Sequence, residues 1–127
     1  MDQRYYLNLE QFLQLLKQIK MDKESEKKVQ ELQLIEQNLS NLLMQKQTFQ
    51  ARLLENENAL KEIETSKKQS YRIIGNILVA MDKEKLKKDL TNEKEIFELR
   101  IKNIERQEEK FKEKAQQLQA EVLKDLK

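Results

Sequence analysis

The sequence predicts a mainly α protein, a long antiparallel α-helical coiled coil with a β-hairpin at its centre. Three observations point there. The 127 residues include no proline and a single glycine, too few turn formers for a compact globule but enough for two long helices. Apolar residues recur at heptad spacing on both sides of the midpoint. Between them, Ser70-Tyr-Arg-Ile-Ile-Gly-Asn-Ile-Leu-Val-Ala80 is β-branched and aromatic and holds the one glycine. With 38% of residues charged and 38% hydrophobic, disorder is the competing explanation, but the regular apolar spacing argues against it.

Taken in order, residues 1–22 form an N-terminal amphipathic extension. Tyr5, Leu9, Phe12, Leu16 and Ile19 alternate by four and three and would share one helical face. A third helix packing on the far end of the long helices, an extension that binds another protein and an incidental appendage all fit this stretch, and packing fits best. Residues 21–28 (MDKESEKK) break the pattern, with Asp22 placed to cap a new helix. The main domain then spans 23–127. Its first helix, about 24–64, has a seam of Leu32, Ile35, Leu39, Leu42, Lys46, Phe49, Leu53, Asn56, Leu60 and Ile63, eight of the ten apolar. It would run roughly 60 Å. Lys46 and Asn56 interrupt the seam, as polar residues do where register or partner choice is fixed at some cost in stability.

The hairpin occupies about 70–80. Residues 71–74 and 77–80 suit short strands, and Gly75-Asn76 between them tolerates the positive φ of primed turns. Alternation leaves bulky apolar side chains on both faces, so burial on two sides is expected. A lone hairpin is marginal in water and has unpaired edges; this one calls for partners. Asp82 then caps the last helix, about 82–126, whose seam is Leu90, Lys94, Phe97, Ile101, Ile104, Glu108, Phe111, Ala115, Leu118 and Val122. The two long helices match in length and are expected to lie seam to seam.

Several function classes are disfavoured. Without His or Cys the commonest general base and metal ligands are missing, and one glycine cannot build a phosphate-cradling loop. We therefore expect no enzyme activity and no cofactor. A net charge of +2, from 25 basic and 23 acidic residues interleaved, gives no case for nucleic acid or an anionic membrane. The basic cluster Lys83, Lys85, Lys87 and Lys88 is offset by Asp82, Glu84 and Asp89 and reads as a solvated face. No stretch approaches the roughly 20 apolar residues of a membrane span. Leu7–Leu16 is too broken by polar residues for a secretory signal, so a cytoplasmic protein is expected.

Helix, Tyr71-Arg-Ile-Ile-Gly-Asn-Ile-Leu-Val, helix resembles the β-type subunits of the prefoldin family, whose hairpin pattern is an aromatic, a basic residue, two apolar residues, Gly and a Leu/Val-rich strand. Glu98-Leu-Arg-Ile-Lys-Asn-Ile-Glu-Arg-Gln-Glu-Glu109 is particularly similar to archaeal β subunits, and Asn58-Ala-Leu-Lys-Glu-Ile63 resembles the end of the family's first helix. The resemblance covers about residues 27–125. Residues 1–22 depart from it, and Asn76 stands where many members carry Gly, Pro or Ser.

The resemblance implies a prefoldin-like fold and an ATP-independent co-chaperone. Two α-type and four β-type subunits would pool their hairpins into a double β-barrel carrying six coiled coils. The coiled-coil tips would hold unfolded client proteins and pass them to a group II chaperonin. Candidate assembly residues are Tyr71, Arg72, Ile73, Ile74, Gly75, Ile77, Leu78 and Val79. Candidate client-binding residues at the tip are Val29, Leu32, Leu34, Ile35, Leu118, Val122, Leu123 and Leu126. Of these, Leu32, Ile35, Leu118 and Val122 lie on the seam, while Val29, Leu34, Leu123 and Leu126 are expected off it and exposed. The alternatives are a homodimeric coiled-coil adaptor without chaperone activity, which has no use for a two-faced apolar hairpin, and a nucleic-acid-binding coiled coil, which the charge balance disfavours.

Overall fold

The computed structural model describes residues 2–19 and 21–126, with side chains from Leu9 onward. Three helices and one hairpin follow in the order α1 (Asp2–Leu16), α2 (Lys23–Thr65), β1 (Ser70–Ile74), β2 (Ile77–Met81) and α3 (Lys83–Asp125). The expected mainly α class with a central hairpin is what forms, and the long elements start and stop within two residues of their expected bounds. The chain divides into two compact units, one made of residues up to 45 and from 104 on, the other of residues 46–103.

In the first unit, α2 begins where Asp22 accepts a 2.8 Å hydrogen bond from the Ser25 amide through Oδ1. This is an N-cap that satisfies one of the free amides of the first turn. That bond holds the Asp22 carboxyl below its ordinary value, so the cap is present above the unfolded pKa and is lost as pH falls through the folded one. Val29, Leu32, Ile35 and Leu39 of α2 pack with Ala115, Leu118 and Val122 of α3 into one apolar core, joined by Leu9, Leu13 and Leu16 of α1. Phe12, Met21 and Phe111 pack partly buried against it. Ion pairs fix the antiparallel register: Lys28 Nζ lies 3.0 Å from Asp125 and 3.6 Å from Glu121, and Lys114 lies 3.6 Å from Glu31.

The extension is thus a helix packed on the core, seated through Leu9 and Leu16 of the expected face with Phe12 partly buried beside them; Leu13 is added to that face and Ile19 departs from it. Leu13 is buried and Ile19, beyond the end of α1, is largely exposed. Leu9, Leu13 and Leu16 obey the same four-three rhythm as the expected set, so spacing alone does not choose between them. The Tyr5 side chain lies outside the described residues.

In the second unit, Phe49, Leu53, Asn56, Leu60 and Ile63 of α2 and Leu86, Leu90 and Phe97 of α3 are buried or half-buried. Phe49 and Phe97 meet with ring centroids 6.2 Å apart, and the Arg100 guanidinium sits 5.5 Å over Phe49. Such ring and cation contacts add to what burial alone contributes. Lys87–Glu64 and Lys94–Glu57, at 3.4 and 3.9 Å, bridge the helices at the surface. Asn56 is buried at 5% exposure, and its Oδ1 accepts no hydrogen bond, which is the cost expected of a polar seam position.

Burial sorts the stability predictions. Leu39→Ala removes a fully buried side chain and is expected to cost about 2–5 kcal/mol. Leu34→Ala, on an exposed position of the same helix, is expected to change stability by less than about 0.5 kcal/mol. Urea unfolding of the two variants followed by circular dichroism checks the contrast.

Candidate functional site

Two apolar surfaces stand out, one in each unit. The first is the hairpin. Its strands pair antiparallel in the register Ser70↔Met81, Tyr71↔Ala80, Arg72↔Val79, Ile73↔Leu78 and Ile74↔Ile77. Directly opposed residues share a face, so Tyr71, Ile73, Leu78 and Ala80 form one side, and Arg72, Ile74, Ile77 and Val79 the other.

The turn is made by Gly75 alone in the left-handed region, with φ 61°, while Asn76 keeps a negative φ. This is the φ pattern of a type II′ turn, whose first central position wants glycine. The sequence had allowed positive φ at both residues. A Cβ at Gly75 would meet nothing within 4 Å, so the demand for glycine there is backbone strain rather than crowding.

The hairpin is anchored to its own helices. The Gln69 side-chain amide donates to the Met81 carbonyl at 3.0 Å and to the Ser70 carbonyl at 3.1 Å. Lys83 Nζ donates to the Ser66 carbonyl at 3.1 Å. Arg72 Nη2 makes a charge-assisted hydrogen bond to Glu93 of α3, which draws one face of the hairpin toward the helix. Arg72 and Val79 are accordingly half-buried. Tyr71, Ile73, Ile74, Ile77 and Leu78 remain 54–72% exposed. Beside them opens a cleft of about 690 Å³, lined by Ile63, Ser66, Tyr71, Ile73, Leu86 and Leu90 among others. Of the eight candidate assembly residues, seven lie in the two strands and Gly75 forms the turn.

The second surface lies in the other unit, where the start of α2 meets the end of α3. Leu32, Ile35, Leu118 and Val122 are core residues there, as their seam positions predict. Leu34, Leu123 and Leu126 are exposed, also as expected. Val29 is corrected: at 9% exposure it belongs to the core. It lies three residues before Leu32, a helical spacing that keeps it on the side of α2 turned to the core. Glu108, a seam position, is buried together with Lys112 one turn on.

A polar edge of this unit escaped the sequence reading. Glu10, Gln14 and Lys17 line a small groove with Gln33 and Glu36 of α2. Burial raises the Glu36 carboxyl above its ordinary value of 4.5, the Glu10 charge adds to the rise, and Lys17 opposes it. Among the described residues no group of acidic side chains could hold a metal ion, and no helix is long and apolar enough to cross a membrane.

Fold and surfaces together define a class: a helical coiled-coil subunit whose β-hairpin displays uncovered apolar side chains. The family model described as prefoldin subunit matches residues 26–127. The chain is similar to the prefoldin β subunit of Archaeoglobus fulgidus, 38% identical over 96 residues, covering 74% of this chain and 83% of that protein. It is 34% identical over 94 residues to the prefoldin β subunit of Pyrobaculum islandicum, covering 72% and 75% respectively. Among solved structures, the prefoldin β subunit from Thermococcus strain KS-1 superposes with a TM-score of 0.74 at 30% identity, covering 81% of this chain and 92% of that one. The chain belongs to the prefoldin family of co-chaperones, as a β-type subunit. Helix α1 lies outside the matched residues.

The Glu36 environment yields a pH prediction. An acid whose folded pKa is raised costs stability while it is ionised, and the cost is relieved as pH falls through the raised value toward 4.5. Backbone amides of α1 are therefore expected to gain protection, relative to intrinsic exchange rates, as pH falls from neutral toward 4.5. Glu36→Gln is expected to show that protection at neutral pH and to lose its pH dependence. Hydrogen exchange read by mass spectrometry checks both.

Proposed function

We propose that this chain is one β-type subunit of a cytoplasmic hetero-hexamer, formed with α-type and other β-type subunits, that captures unfolded proteins without nucleotide and passes them to a group II chaperonin. The observation that carries the reading is the hairpin, with five large apolar side chains uncovered although the strands are pinned at their base. A two-stranded sheet in this state has free edges and unburied faces. Closure with the hairpins of other subunits removes both, and Tyr71, Arg72, Ile73, Ile74, Gly75, Ile77, Leu78 and Val79 form this assembly surface.

Clients are held at the end where α2 begins and α3 ends. Exposed Leu34, Leu123 and Leu126 make the first contacts, and the core residues Val29, Leu32, Ile35, Leu118 and Val122 support them. Each contact is weak, but several tips acting together raise the effective affinity by orders of magnitude. Release then needs only a competitor for the client, so no energy source is required.

Ile73→Asp places a charge on the uncovered face and is expected to abolish hexamers with the α-type partner while leaving helix content near that of the wild type. Native mass spectrometry and circular dichroism read the two quantities, and hexamers that persist would refute the assembly surface. Replacing Leu34, Leu123 and Leu126 together by Ser is expected to spare the hexamer and to weaken suppression of client aggregation several-fold. Light scattering from a diluted unfolded enzyme tests this, and undiminished suppression would remove the tip from the reading.

A further inference from the structure

We propose that α1 is a tethered, displaceable occupant of the apolar cleft between the start of α2 and the end of α3, and that it yields this cleft to an amphipathic helical segment of an unfolded client. The proposal rests on the reading that this end of the molecule holds clients, and it assigns the chemical class of segment held. That segment presents leucine-like side chains at i, i+4 and i+7, since this is the spacing of Leu9, Leu13 and Leu16, which α1 seats in the core among its described side chains. Helix-in-groove recognition reads such anchors.

Four observations point to an occupant rather than a permanent wall. The family match begins at residue 26, so the cleft belongs to the family domain and its cover does not. Among the side chains described, from Leu9 onward, α1 buries three leucines with a half-buried Phe12, a small apolar return for ordering those residues. Leu15 on its outer face is 67% exposed, so α1 is not enclosed by the rest of the unit. The Glu10 charge facing Glu36 works against seating, with Lys17 as the counterweight. Docking is thus poised, and a competitor can shift it.

The tether sets the threshold. A segment joined by a short link is present at an effective concentration of about millimolar, so α1 excludes free helices of similar affinity at micromolar concentration. Only a chain offering several such segments to several tips displaces it. Closed clefts also keep the tips from binding one another.

The test uses the full chain assembled with its α-type partner. Three forms are compared: wild type, the triple variant Leu9→Ser/Leu13→Ser/Leu16→Ser, and Gln14→Cys/Gln33→Cys. The last pair lines one groove, and the chain has no cysteine of its own, so a disulfide or a short thiol cross-linker locks α1 down. The probes are a fluorescein-labelled peptide of residues 2–16 and guanidine-unfolded carbonic anhydrase diluted into buffer.

The triple variant is expected to bind both probes about tenfold tighter than wild type, as for a cleft open about one-tenth of the time. The locked form is expected to bind more weakly than wild type and to recover on reduction. Equal binding by all three forms overturns the proposal. On the wild type alone, unfolded carbonic anhydrase is expected to strip exchange protection from the α1 amides; unchanged or greater protection overturns the proposal whatever the variants do. Equal capture of carbonic anhydrase by wild type and locked form leaves the co-chaperone reading standing and removes displacement. Peptide binding to the triple variant with no capture of carbonic anhydrase by any form overturns both.

Discussion

A twelve-residue hairpin cannot shelter apolar side chains on both of its faces, and this constraint governs the protein. The helices beside it take up part of one face through Arg72–Glu93 and the half-buried Val79. On the other face Tyr71 and Ile73 border the cleft lined by Ile63, Leu86 and Leu90, yet they stay more than half exposed. Full burial of a side chain such as Ile or Leu is worth about 1.5–3 kcal/mol, so the five exposed residues hold on the order of 10 kcal/mol of burial that only other chains can realise. Some of that is consumed in the entropy of association. In the proposed assembly, the surplus is what would favour a subunit over a monomer.

The hairpin is held in place by its own chain, which suits the assembly proposed for it. Gly75 lets the strands turn in two residues with the twist the ladder requires. Gln69 closes the open end by bonding to the Met81 carbonyl. A surface ordered in advance loses less entropy on binding than a floppy one. The polar seam positions work alongside it. Buried Asn56 and Glu108 give up stability relative to apolar residues, and a seam with such interruptions tolerates fewer registers.

Much of this was legible in the residue order. Heptad spacing placed α2 and α3, and the glycine-centred apolar run placed the hairpin, because periodicity and turn chemistry are local properties. The hairpin's need for partners could also be read, since strands alternate strictly and both sets of alternate residues were apolar. Helix α1 was legible as a helix, and its seated face was legible at Leu9, Phe12 and Leu16 but not at Leu13 or Ile19. The expected set Tyr5, Leu9, Phe12, Leu16 and Ile19 and the seated set Leu9, Leu13 and Leu16 overlap on one surface, and only the opposing core decides that Leu13 joins it.

What the sequence determined by itself, then, is where each helix and strand runs and which stripe of each long helix is apolar, because these follow from spacing and from the conformational limits of single residues. Tertiary structure decided the rest. It drew Val29 into the core, joined Arg72 to Glu93 across twenty-one positions, and set Glu10 and Lys17 around Glu36. Those outcomes depend on which surfaces meet, and contacts between distant residues leave no period in the chain for a reader to find.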